Sequence, residues 1–270
     1  MSGTRVFQVD AFTDGAFGGN PAAVCLLEAP AEPAWMQAVA AEMNLSETAF
    51  AAPGGGGAFA LRWFTPTTEV ALCGHATLST AHILWQTGAV SNAGAIAFDT
   101  ASGRLGAAWA DGWIELDFPA YRSAPAEIPQ AIREAVSGAP SHGAVITERG
   151  QPEPTYLLEL ADEASVRGVV PRLDHLRRPG ASSIIVTARA EGRYDIVSRY
   201  FAPGVGIDED PVTGAAHCCL APYWSRRLGK NQLVGYQASR RGGVVGMRVD
   251  GGRVILSGQA VTVLRGELLV

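Results

Sequence analysis

The chain has 270 residues, 47% of them hydrophobic and only 17% charged, so burial of apolar surface can offset chain entropy and disorder is excluded. With 21 Lys and Arg against 26 Asp and Glu, the net charge is −5, and no basic footprint exists for nucleic-acid phosphates. The opening residues carry charge at Arg5 and Asp10 rather than an apolar secretory core. No run approaches the ~18–20 apolar residues of a membrane span, and Cys25, Cys73, Cys218 and Cys219 are no disulfide framework, so a cytoplasmic location is expected.

In chain order, Val6–Phe12 reads as a strand, followed by a turn at Gly18-Gly-Asn-Pro21 and the apolar strand Ala22–Leu27. Pro33 opens a helix over Ala34–Met43, since proline lacks an N–H that a first helical turn leaves unpaired anyway. A helix is expected over Ala76–Trp85, ending near Gly88, and its apolar character suits burial. The alternating runs Leu105–Trp109 and Trp113–Phe118 flank Asp111-Gly112, a hairpin signal because both turn residues take positive φ. The Pro- and Ala-rich stretch Tyr121–Pro140 reads as a linker carrying one helix, Ile128–Ser137. Beyond it come Ala144–Thr147, a Gly/Pro-rich turn, Tyr156–Leu160, a weaker helix at Glu163–Val169, and a helix at Ala215–Arg226 stopping at Gly229. The runs Val244–Val249 and Arg253–Leu256 flank a second Asp-Gly, Asp250-Gly251, and Ala260–Leu269 alternates as a strand able to close either sheet.

The order of these features repeats. Arg62-Trp-Phe-Thr-Pro66 returns as Arg199-Tyr-Phe-Ala-Pro203, and each pentad precedes a loop carrying acids. Gly74-His75-Ala76-Thr77 returns as Gly214-Ala215-Ala216-His217, Phe98-Asp-Thr-Ala-Ser102 as Tyr236-Gln-Ala-Ser239, and Trp109-Ala-Asp-Gly112 as Arg248-Val-Asp-Gly251. A duplication of this kind predicts an α+β fold of two pseudo-symmetric domains, each a curled, mostly antiparallel sheet around a central helix. The expected divisions are residues 1–120, with 260–270 available to return, a linker at 121–140, and residues 141–259.

Duplicated helix starts have a chemical consequence. Facing each other across an interdomain cleft, they would offer two sets of unpaired N–H groups and two positive dipole ends, a setting for a small carboxylate. Gly74 and Gly214 would let the backbone approach such a ligand; alternatively, they serve helix–sheet packing. The cleft is therefore the expected active site.

Five motifs then acquire a common meaning. Asp10-Ala-Phe-Thr13, Gly19-Asn-Pro21, Asn44-Leu-Ser-Glu-Thr48, Cys73-Gly-His-Ala-Thr77 and Glu209-Asp-Pro-Val-Thr-Gly214 together resemble the phenazine-biosynthesis PhzF family, which has the diaminopimelate epimerase fold. The resemblance implies an isomerase that moves a proton on a small carboxylic acid without a cofactor, and it suggests a homodimer. The family's glutamate falls on Glu47, its histidine on His75 and its aspartate on Asp210. Phenazine-pathway members carry a serine where this chain has Ala215, which argues against their particular substrate.

Each residue has a functional and a plainer reading. Glu47 lies among Leu45, Ala49 and Phe50, where a carboxyl is expected to have a raised pKa suited to taking and returning a proton; the plainer reading is an exposed strand-edge acid. His75 sits at a helix start, which favours a neutral imidazole that donates a hydrogen bond, or else it caps its own helix. Asp210 either orients a substrate amine or hydroxyl, or complements the dipole of the helix beginning near Thr213. Asn20 and Ser46 are substrate-binding candidates that otherwise serve turn chemistry and helix capping. Gly74, Thr213, Gly214 and Ala215 are expected to line the carboxylate site.

Two other functional readings stand beside this one. Diaminopimelate epimerases use one thiol from each half; here Cys73 precedes Gly74, and Asp210 is taken as its counterpart, so a mixed Cys73/Asp210 amino-acid racemase is the alternative. A non-catalytic binding or interaction module is the other. No metal is expected: in a Cys73, His75, His217 and Cys218 set, the adjacent His217 and Cys218 would diverge by about 100° on a helix. Gly54–Gly57 lacks the Lys-Ser/Thr of a phosphate loop. His82, His142 and His175, and the pairs Arg226-Arg227 and Arg240-Arg241, read as packed or solvated residues.

Overall fold

The computed structural model describes residues 3–91, 94–136, 140–146, 154–177 and 183–270. The expected turn after Thr147 and the end of the helix at Ser137 lie partly outside them. The chain forms two compact units, Met1–Phe118 with Ser257–Val270, and Pro119–Leu256.

The first unit opens with β1 (Thr4–Ala11), antiparallel to β2 (Asn20–Leu26). Helix α1 (Pro33–Met43) carries the chain to β3 (Glu47–Pro53), which runs parallel to β2. Then β4 (Phe59–Phe64) and the two-residue β5 (Glu69–Val70) add antiparallel pairings. Helix α2 (Gly74–Gln86) crosses to β6 (Ile96–Thr100), parallel to β4, and β7 (Gly103–Ala110) and β8 (Trp113–Pro119) complete a meander. Asp111 and Gly112 have φ 49° and 83°, the left-handed pair that a tight two-residue hairpin requires. Nearly every residue of α2 from His75 to Trp85 is buried, as its apolar sequence demands of a central helix. Val6, Cys25, Met36, Val39, Phe50 and Phe64 form an apolar cluster beneath α1, where each large side chain contributes about 1.5–3 kcal/mol by leaving water.

In the second unit β9 (Ser123–Pro125) pairs with β10 (His142–Ile146), and α3 (Gln130–Ala135) lies between them in the chain. Then β11 (Thr155–Glu159), α4 (Glu163–Arg167), α5 (Leu173–Leu176) and β12 (Ile184–Arg189) follow, with β11 and β12 parallel. Strands β13 (Ile196–Ala202) and β14 (Ile207–Asp210) are antiparallel. Helix α6 (Gly214–Leu228) leads to β15 (Gln232–Gln237), parallel to β13, and β16 (Gly243–Asp250) and β17 (Arg253–Gly258) close the unit. The last strand, β18 (Ala260–Leu268), pairs antiparallel with β1 of the first unit.

The two units therefore repeat one order: antiparallel pair, helical crossover to a parallel strand, antiparallel return, short strand, central helix, parallel strand, meander. Each is a mostly antiparallel sheet with one long buried helix, an α+β arrangement.

Two details differ from the sequence expectation. Tyr121–Pro140 belongs to the second unit: Ile128, Ile132, Ala135 and Val136 join its apolar core. Tyr121 donates its backbone N–H to Cys218 O at 3.1 Å, the carbonyl to which Pro222, lacking an N–H, cannot donate within α6. The second hairpin turns on Gly251-Gly252, one residue later than Asp250-Gly251, with φ 58° at Gly251. No described helix is long and apolar enough to cross a membrane.

Candidate active site

The first unit brings together four polar side chains that the sequence scatters. Asn20 begins β2, after a loop that reverses at Gly19 with φ +60°, where a Cβ would come 2.0 Å from Ala11 O. Only glycine fits there. Buried Asp10 braces the same loop by accepting the Phe17 N–H at 2.7 Å. Glu47 is the first residue of β3 and stands opposite Ala22 across the parallel ladder, which fixes it beside the start of β2. Cys73 is the extended N-cap residue of α2, and His75 follows in the first turn. Thr77 ties that turn down by donating its hydroxyl to Cys73 O at 2.5 Å.

His75 lies at the centre. Its Nε2 is 3.1 Å from Glu47 Oε2, and its Nδ1 is 3.2 Å from the Asn20 side-chain amide and 3.6 Å from Cys73 Sγ. All four residues are buried. The Glu47–His75 contact is an ion pair without hydrogen-bond alignment: Oε2 and Nε2 are both shielded from water, and neither has a directed partner. That leaves both atoms free to address a third group.

Burial, the largest single influence, lowers the His75 pKa, but its contacts with Cys73 and Glu47 together outweigh burial and move the value well above the usual histidine range. This direction favours the protonated ring, whereas the helix start alone favours the neutral one. Cys73 and then the carboxylate 3.1 Å away are the two neighbours that raise it. Burial, and then the Glu47 charge, push the Cys73 thiol up against the opposing pull of His75, so the sulfur keeps its proton at neutral pH.

Ser46 is half-buried next to Glu47. No helix follows it, because β3 begins at the next residue, so it is not a helix cap. Gly74 is the first residue of α2.

The second unit builds a different constellation at the start of α6. Asp210, buried at the end of β14, accepts the Thr213 hydroxyl at 2.5 Å. Gln237 binds both ends of this turn: its Oε1 accepts the Thr213 N–H at 2.9 Å, and its Nε2 donates to Asp210 O at 2.7 Å. Gly214 and Ala215 form the first turn of the helix. Gln237 escaped the sequence reading, although it lies in the repeated segment Tyr236-Gln-Ala-Ser239; a glutamine facing inward on a strand was the available signal.

Aligning the units by their own hydrogen bonds corrects one correspondence. Thr213 caps α6 as Cys73 caps α2. His217 Nδ1 reaches Thr213 O at 2.8 Å, as Thr77 reaches Cys73 O. Ser102 donates to Ala71 O at 2.6 Å, and Ser239 to Pro211 O at 2.8 Å, each two residues before the cap. The counterpart of Cys73 is therefore Thr213, not Asp210, which corresponds to Val70. His75 corresponds to Ala215. Strand register pairs Thr48 with Phe64 and Ile184 with Phe201, so Glu47 corresponds to Ser183. The carboxylate, imidazole and thiol are confined to the first unit.

These features have relatives. Residues 9–266 match the family described as phenazine biosynthesis-like protein, and the chain belongs to that family, which has the diaminopimelate epimerase-like fold. A protein of Halalkalibacterium halodurans described as an uncharacterized isomerase is 47% identical over 272 residues, covering 100% of both chains. The crystal structure of a PhzF-family phenazine biosynthesis protein from Enterococcus faecalis superposes with a TM-score of 0.90 at 38% identity, covering 100% of each chain. A putative PhzC/PhzF phenazine biosynthesis protein from Clostridium difficile gives 0.88 at 37% identity, covering 99% of this chain and 100% of that one.

Proposed function

We propose that the protein is an isomerase that moves a proton between carbon atoms of a small, unsaturated carboxylic acid, with Glu47 as the proton carrier and no cofactor. The observation that carries this reading is the buried Glu47–His75 pair, 3.1 Å apart and without directed hydrogen bonds. Relatives described as isomerases support the reaction class.

Glu47, beside His75, takes the proton from the carbon adjacent to the unsaturated acid. The resulting carboxylic acid then returns it to another carbon on the same face, so one group serves both steps. His75 offers its Nε2–H to the developing negative charge, and the Asn20 side-chain nitrogen, 3.2 Å from Nδ1, holds the ring. Positioned acid–base catalysis of this kind contributes about 10²–10⁴-fold, and a preorganised donor about 2.7–4 kcal/mol more. Ser46 and the Gly74 amide are proposed as substrate-binding groups of the first unit, and Asp210, Thr213, Gly214 and Ala215 as those of the second, the amides at each helix start being suited to a carboxylate. A homodimer in the cytoplasm completes the proposal.

The one-sided distribution of the chemistry favours this over a racemase. Two-base racemisation needs an acid–base group from each half, and the place that answers Cys73 holds Thr213, a poor proton carrier at neutral pH.

The test is incubation of the protein with a panel of small unsaturated carboxylic acids in deuterated water. The proposal predicts an isomer with deuterium at the carbon that gains the proton in at least one case. Absence of exchange with every acid, while the protein binds some of them, would identify a binding module instead.

A further inference from the structure

We propose that Glu47, Cys73 and His75 form a binding site for one thiophilic divalent cation of the Zn²⁺ or Cd²⁺ class. One oxygen, one sulfur and one nitrogen of these residues lie within 4.8 Å of one another, and among the described residues this is the one such group of three. A thiolate, an imidazole and a carboxylate make the mixed donor set that zinc accepts. The separation of Cys73 Sγ from His75 Nδ1, 3.6 Å, is what two ligands of one tetrahedral zinc require: bonds of about 2.3 and 2.0–2.1 Å place sulfur and nitrogen about 3.6 Å apart.

The ligands are held in place before any ion arrives. Cys73 is fixed as a helix cap, His75 by the first turn of α2, and Glu47 by the parallel ladder with β2. All three are buried, and Glu47 Oε2 lacks a directed partner. On binding, the thiol and the imidazolium each release a proton to solvent, and the cation takes their place, leaving a fourth position for water. An ion held there engages the lone pairs of Glu47. Resting on the isomerase reading above, the bound cation is therefore an inhibitor rather than a cofactor.

Binding is measured without substrate, so its outcome is separate from that of the deuterium experiment. Cd²⁺ is titrated into the full chain with a phosphine reductant, and the ultraviolet thiolate-to-cadmium charge-transfer band is followed. The band should saturate at one Cd²⁺ per chain, be displaced by Zn²⁺, and vanish in Cys73→Ser. In Glu47→Gln the band should remain, with affinity lower by about tenfold or more; circular dichroism checks that both variants fold. A band surviving in Cys73→Ser would place the metal on Cys25, Cys218 or Cys219 and overturn the proposal. Unchanged affinity in Glu47→Gln, or no band in the wild-type chain, would overturn it as well.

Discussion

His75 Nε2 and Glu47 Oε2 face each other at 3.1 Å with almost no access to water. Taking two charges out of solvent is expensive, and their attraction only partly offsets that cost. Such a pair is weak evidence of stability and better evidence of use, since strongly perturbed groups cluster where chemistry is done.

The pair makes His75 a reporter. Its pKa, followed by NMR of the imidazole, should lie well above the ordinary histidine value of about 6.5 and should fall in Glu47→Gln, which removes a charge that raises it. The sign for stability follows. A raised folded pKa stabilises the native state fully below about pH 6.5, and that contribution is lost as pH rises through the folded value. Glu47→Gln should therefore cost more stability near pH 6 than at alkaline pH. An unchanged His75 titration in the variant would contradict the ion pair.

The second unit contains the opposite case. His217 is fully buried on α6, and burial lowers its pKa to about 4 despite the bond to Thr213 O. The unfolded chain takes up this proton near pH 6.5 and the folded chain only near pH 4, so stability should fall as pH drops between those values, by up to about 3 kcal/mol from this group. Denaturant titrations across the window should show a shallower slope in His217→Asn, which keeps a short donor toward Thr213 O. An unaltered slope would mean that other groups govern acid sensitivity.

Gln237 is the side chain whose loss should most disturb the α6 start. Gln237→Ala leaves the Thr213 N–H without its side-chain acceptor and removes the donor to Asp210 O, and a buried donor left without its acceptor costs about 1–3 kcal/mol. Thermal unfolding should register the loss, and Gln237→Glu, which keeps the acceptor but not the donor, should recover part of it. Full stability in the alanine variant would show that solvent reaches the turn.

Much of the fold was legible because duplication doubles weak signals. One Arg-aromatic-Phe pentad means little, but two of them, each followed by a glycine-started helix and a meander, fix the order of both units. Boundaries set by local chemistry also read well: Pro33 starts α1, and Gly229 stops α6 with φ +65°. What the sequence hid were relationships across the sheet. Glu47 meets His75 because β3 runs parallel to β2, a pairing made through α1. The direction of the His75 pKa shift was not legible because the helix start is visible in sequence and the facing thiol and carboxylate are not. Asp210 looked like the partner of Cys73 because an acid near a helix start resembles a cap, but β14 takes up residues 207–210 and leaves the cap to Thr213. Gln237 was passed over because nothing in Tyr236-Gln-Ala-Ser239 reveals what lies opposite.

The central claim is that Glu47 itself carries the proton. Exchange of solvent deuterium into a turned-over acid, compared between the wild-type chain and Glu47→Gln, tests it most directly. The substitution keeps size and shape while removing the base, so exchange should fall by about 10²–10⁴-fold with the thermal transition still cooperative. Exchange persisting at the wild-type rate in Glu47→Gln would assign the proton to another group and contradict the account.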